Sequence, residues 1–126
     1  MMSGMTDSGT AGDGVILDDL LRDAAADAAG ALWRLTGEQR QLDANVVRLR
    51  PDATVPEHVE PDLDVLAVGL AGEGTLRCAG ADHDLRSGVV LLLPRGAVRG
   101  VSASPDGVVY LTVHRRRPGM TVRTRP

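Results

Sequence analysis

Residues 72–100 read GEGTLRCAGADHDLRSGVVLLLPRGAVRG. Short apolar runs at 75–78, 83–85, 89–93 and 98–102 are cut at close intervals by glycine-bearing turns. This is the pattern of antiparallel strands in an all-β sandwich or barrel, and it leaves no room for helices. Gly72 and Gly74 suit the positive φ of a tight hairpin, and Gly80 and Gly88 suit turns between later strands. Pro94 closes the most apolar run, because it has no N–H to give to a ladder.

On either side the same reading continues. Strands are predicted at 31–35, which carries the single Trp33, at 42–50, 54–59 and 64–70, with a turn at Pro51-Asp52. Downstream, Ser104-Pro105-Asp106-Gly107 is a turn signal, and 108–113 is the last core strand. Upstream the period changes. Leu17, Leu20, Leu21, Ala24, Ala25 and Ala28 recur at helical spacing, with Asp19, Arg22, Asp23 and Asp27 opposite them. This predicts one amphipathic helix of about four turns within 14–30, capped by Asp13 and stopped by Gly30. Its Leu/Ala stripe must pack on its own barrel or on a neighbouring subunit. Residues 1–13, small and polar, read as a disordered tail, and 118–126 as a basic, solvated one.

At 126 residues the chain is long enough for one domain, here 31–117 with its helix. A hydrophobic share of 43% and a charged share of 25% are those of an ordinary globular protein. All 14 basic side chains are Arg, Phe is absent, and both facts suit GC-rich coding. The formal net charge of -3 is too small to imply a nucleic-acid partner. It hides an asymmetry: residues 1–30 hold six Asp against one Arg, whereas 111–126 hold five Arg and no acid. The ends are expected to attract one another, in cis or across a dimer. The lone Cys78 excludes an internal disulfide and reads as a small buried hydrophobe. Neither a signal peptide nor a run of about 20 apolar residues is present, which predicts a cytoplasmic protein without membrane contact. Gly69, Gly72 and Gly74 do not read as a nucleotide loop, since no helix follows them.

The framework of Gly72, then Gly88 followed after five residues by Pro94-Arg95-Gly96, resembles that of the cupins, over roughly 45–114. The resemblance implies a double-stranded β-helix, or jelly-roll barrel, preceded here by the N-terminal helix. It also implies a metal held by two histidines and a carboxylate from a first motif and a third histidine from a second. In this sequence those positions fall on His58, Glu60, Asp64 and Arg99. His58 and Glu60 share a strand face. Asp64 lies one residue further from Gly72 than the cupin pattern prefers; either a bulge at Gly69 absorbs the extra residue or Val65 takes the position.

Arg99 stands where the third imidazole belongs. A guanidinium has no lone pair for a metal and repels a cation. The expected arrangement is metal-free and without cofactor, a divalent metal being the minor reading, and has Arg99 paired to Glu60, Asp64 or both. Three functions follow. One is a cupin that binds a small, anionic or polar molecule on a floor of His58, Glu60, Asp64 and Arg99, as a sensor or auxiliary protein. Another is an isomerase, epimerase or cyclase in which His58 and a carboxylate act as base and Arg99 anchors the substrate, or a metal-dependent enzyme should Arg99 lie outside the site. The third is a satisfied core network without ligand. His83 reads as exposed and inert. His114 reads as structural, though strand parity can turn it to the barrel mouth. A homodimer is expected.

Overall fold

The computed structural model describes residues 14–117, and the expected tails at 1–13 and 118–126 lie outside them. Helix α1 spans Leu17–Asp23, far short of the four turns that the Leu/Ala spacing predicts. Its N-cap position is Ile16, which offers no side-chain cap, while Asp13 falls outside the described residues. The helix ends because the following carbonyls find other donors. The Arg48 guanidinium donates to the carbonyls of Ala25 and Ala28, at 3.1 and 3.4 Å. With those oxygens satisfied, alanine propensity alone does not carry the helix on. Of the stripe, Leu21 shares a cleft with Arg48, Ala71 and Val109 of the barrel, and no residue of the helix is buried. Gly30, with φ 81, opens the first strand.

Seven strands follow: β1 Gly30–Arg34, β2 Leu42–Leu49, β3 Thr54–Val59, β4 Val65–Cys78, β5 Ala81–Arg86, β6 Val90–Leu93 and β7 Val98–Arg115. Five agree with the sequence to within about a residue at most ends. Two do not: β4 runs straight through the hairpin expected at Gly72 and Gly74, and β7 runs through the turn expected at Ser104–Gly107. These segments lie opposite one another. Gly72 pairs with Val108 and Gly74 with Ala103, so that Glu73 alone faces residues 104–107. The extra residues form a bulge where both strands bend together. A Cβ on Gly72 would stand 2.2 Å from the Gly107 carbonyl oxygen, which is why glycine is needed at this crossing. The true β4–β5 hairpin is the two-residue turn Ala79-Gly80, both at positive φ (52 and 84).

The shared bend folds one continuous seven-stranded sheet into two layers. The first contains β1, β2, the C-terminal half of β7, the N-terminal half of β4 and β6. The second contains β3, the N-terminal half of β7, the C-terminal half of β4 and β5. Their inner faces share one core, with Ala67, Leu93, Val108 and Tyr110 from the first layer against Leu76, Cys78, Leu85 and Val101 from the second. The result is the expected all-β jelly roll with one helix in front of it. Among the described residues no helix is long and apolar enough to cross a membrane.

Candidate functional site

Between the layers lies a cavity of about 360 Å³. Its walls are apolar: Val55, Val65, Ala67, Leu76, Leu93, Val101 and Tyr110. Burial raises the pKa of the Tyr110 phenol above its ordinary value. The polar lining is His58, Glu60, Arg99, Thr112, His114 and Arg117. These groups gather at one end of the barrel. His58 pairs in register with Arg99, His114 with Val65, and the Glu60 carbonyl accepts the Gly96 N–H at 2.8 Å.

His58 reaches the cavity because β3 is irregular. Its register on β7 slips between Val55 and His58, next to Pro56, which has no N–H for a ladder. The slip resets the alternation, so Val55 and His58 both line the cavity while Glu57 meets Arg77 at 3.2 Å. The His58 Nδ1 lies 3.0 Å from the Pro56 carbonyl and the His114 Nδ1 2.8 Å from the Arg115 carbonyl. A carbonyl only accepts, so in both rings Nδ1 is the donor of this bond and Nε2 is the nitrogen left over. His114 arrives by plain alternation with Val108, Tyr110 and Thr112 along β7.

The pairing expected of Arg99 is not made. Its side chain is buried (4% exposed) and bends back along the β6–β7 connection. Nε donates to the Ala97 carbonyl at 3.1 Å and Nη2 to the Pro94 carbonyl at 2.5 Å. Both carboxylates assigned to it are engaged elsewhere. Glu60 accepts from Arg117 Nη2 and from the Asp62 N–H at 2.9 Å. The Arg117 hydrogen bond, with the Asp62 N–H behind it, lowers the Glu60 pKa to about 2. The same bond raises that of Arg117. Asp64 does not line the cavity: it accepts the Arg95 N–H at 2.9 Å, with the Arg95 guanidinium at 4.0 Å. Val65 takes the inner position instead, because the alternation of β4 begins there.

The structure therefore brings together His58, Glu60 and Arg99, leaves out Asp64, and adds His114 and Arg117. Parity on β7 signalled His114, whereas Arg117 sits in a basic run that reads as solvated. The cupin metal set does not fit these residues. An arginine takes one ligand position and a valine another. Among the described residues no three His, Cys, Asp or Glu side chains come together as a metal ion requires. His83 is exposed and Cys78 is buried, as read from the sequence.

No family model matches the chain, and no curated protein matches it in sequence. Solved structures do match its fold. The protein TT1209 from Thermus thermophilus is 26% identical at a TM-score of 0.64, over 79% of this chain and 96% of that one. The cupin protein BF4112 from Bacteroides fragilis is 21% identical at a TM-score of 0.62, over 80% of this chain and 86% of that one. The cupin domain of Schizosaccharomyces pombe Cnp3 is 17% identical at a TM-score of 0.60. The match covers 68% of this chain and 63% of that domain, slightly under two thirds of its length. The chain has the cupin-superfamily fold.

Proposed function

We propose that this cupin binds a small anionic molecule in the barrel without a metal, in a sensor or auxiliary role. The observation that carries this reading is Arg99. A guanidinium 4% exposed lines the cavity with no carboxylate in ion-pair contact with it among the described residues, the Glu60 carboxylate of the same cavity being held by Arg117. A buried cation without a counterion is costly, and an anion entering the cavity supplies the missing charge. At about 360 Å³ the cavity falls at the small end of ligand sites. The catalytic alternative keeps His58 at the cavity but not a free carboxylate beside it: Asp64 lies outside, and Glu60 is held by Arg117 with its pKa lowered to about 2. Calorimetric titration with small carboxylates and phosphates is expected to find binding in the parent, weakened about 100-fold or more in Arg99→Gln at unchanged circular dichroism. Neutral analogues binding as well as anions, or an Arg99→Gln that keeps its affinity, overturns the reading.

We also propose that the protein is a homodimer joined through the first layer. Val65 and Ala67 line the cavity, so Leu66 and Val68 face outward. Register then aligns two apolar rows across the outer face: Trp33, Val46, Leu111, Val68 and Val90, of which Val46 is already buried, and beside it Ala44, Val113, Leu66 and Leu92. Leu66, Val90 and Leu92 are 39%, 60% and 60% exposed, where a solvated face calls for polar residues. A second copy supplies a matching face, and its acidic residues 1–30 suit the basic C-terminal end of the first. Light scattering is expected to give a dimer for the parent and a monomer for the Leu66→Asp, Leu92→Asp double variant. A monomeric parent at micromolar concentration rules the dimer out.

A further inference from the structure

Glu60 and Arg117 lie 57 residues apart, the first just beyond β3 and the second just beyond β7, and their ion pair spans the lining of the cavity that also holds Arg99. Two guanidinium groups and one carboxylate thus face one small space. The Glu60 side chain is 14% exposed and that of Arg117 51%. Arg99 uses two hydrogen bonds, both to carbonyls, of the five that a guanidinium can donate. Arg117 has Glu60 as its one side-chain partner among the described residues.

We propose that Glu60 stands in for a second anionic group of the ligand, so that the site takes a small dicarboxylate, one end on Arg99 and the other on Arg117. This rests on the reading of Arg99 as the anion anchor. In the free protein Glu60 occupies Arg117 and no charge there is left unpaired. When the ligand enters, one carboxylate replaces another on the same guanidinium, and the number of ion pairs at Arg117 is unchanged. Glu60, released, keeps the Asp62 N–H and a path to water at the rim. A monocarboxylate has nothing with which to displace Glu60 and gains only Arg99. The second charge-assisted contact is therefore what selects the dianion.

Calorimetric titration of the full chain with butyrate, malonate, succinate, glutarate and adipate tests this. In the parent the best dicarboxylate is expected to bind at least about tenfold more tightly than butyrate. Glu60→Gln removes the internal competitor and is expected to tighten that dicarboxylate several-fold while leaving butyrate unchanged. Arg117→Gln is expected to bring the dicarboxylate down to the butyrate level. Equal affinities for mono- and dicarboxylates in the parent overturn the proposal, as does an Arg117→Gln that keeps the preference or a Glu60→Gln that weakens it. Arg99→Gln separates the two readings. If it loses butyrate and dicarboxylate alike while the preference is absent, the anchor stands and the exchange falls. If it loses neither, or no probe binds the parent at millimolar concentration, both fall.

Discussion

Gly69→Ala is expected to destabilise the fold by about 3 to 5 kcal/mol, the sum of severe overpacking and two broken backbone hydrogen bonds. Gly69 lies in β4 where the chain leaving β5 passes over it. A Cβ there would stand 1.9 Å from the Arg86 carbonyl oxygen, 2.5 Å from its carbon and 2.9 Å from its nitrogen. All three are backbone atoms, so no rotamer change relieves the contact. The close approach is fixed from both sides. The Gly69 N–H donates to the Val89 carbonyl at 2.8 Å, and the Gly88 N–H donates to the Gly69 carbonyl at 3.0 Å. Any side chain at 69 must push the 86–89 segment away and lose both bonds. Gly88→Ala is the control: its φ of 89 is strained for alanine, but nothing lies within 4 Å of the new Cβ. It is expected to cost only about 1 to 2 kcal/mol. Denaturant midpoints at constant slope measure the difference. A Gly69→Ala no more costly than Gly88→Ala would falsify the rigid approach.

Gly69 also illustrates how much of the fold could be read from the residues. A glycine in the middle of a strand pattern marks a bulge or a close backbone approach, and this one is both, with a register slip between Gly69 and Ala71. Strand positions were legible because alternation and turn residues are local signals. The two corners were not. Gly72-Glu73-Gly74 and Ser104-Pro105-Asp106-Gly107 carry the chemistry of reverse turns, and positive φ serves a bulge as well as a hairpin: Gly72 sits at 67 and Gly107 at 77. What keeps each strand running forward is the other strand, paired through Gly72–Val108 and Gly74–Ala103 and far away in sequence. The helix failed for the same reason, since Arg48 in β2 captures the carbonyls of its would-be last turns.

The site divides along the same line. His58, Glu60 and Arg99 were legible through the cupin resemblance, which counts Arg99 from the Pro-x-Gly turn; strand parity added only that His58 and Glu60 share a face. Whether Asp64 or Val65 faces inward depends on where alternation restarts after β3, which no local rule fixes. Arg117 had no signal, because its partner Glu60 lies on the far side of the barrel in sequence and beside it in space. The consequence is a reversal in how Arg99 should behave on mutation. A guanidinium paired to a buried carboxylate leaves a costly orphan when removed, about 3 to 5 kcal/mol. A guanidinium bonded to two carbonyls leaves no charge behind.

Arg99→Met is accordingly expected to change stability by less than about 1 kcal/mol while abolishing anion binding. Two hydrogen bonds from a charged donor are lost, but the Pro94 carbonyl keeps the Ala97 N–H at 3.2 Å. Against that loss, an uncompensated buried charge disappears and a thioether of similar length packs among Val55, Leu76, Leu93 and Val101. The opposing contributions are of similar size, which is why the function should be lost and the fold kept. Arg99→His is expected to do something else. Position 99 pairs in register with His58, and His114 lines the same cavity. Both existing imidazoles have Nδ1 committed to a backbone carbonyl, which leaves Nε2 as the nitrogen that a metal would take. A third imidazole in place of the repelling cation is expected to create a site for nickel or zinc at least about 100-fold tighter than in the parent or in Arg99→Met. Calorimetric titration of the three proteins with either metal decides the matter. Equal binding in all three would mean that the guanidinium is not what keeps a cation out of this barrel.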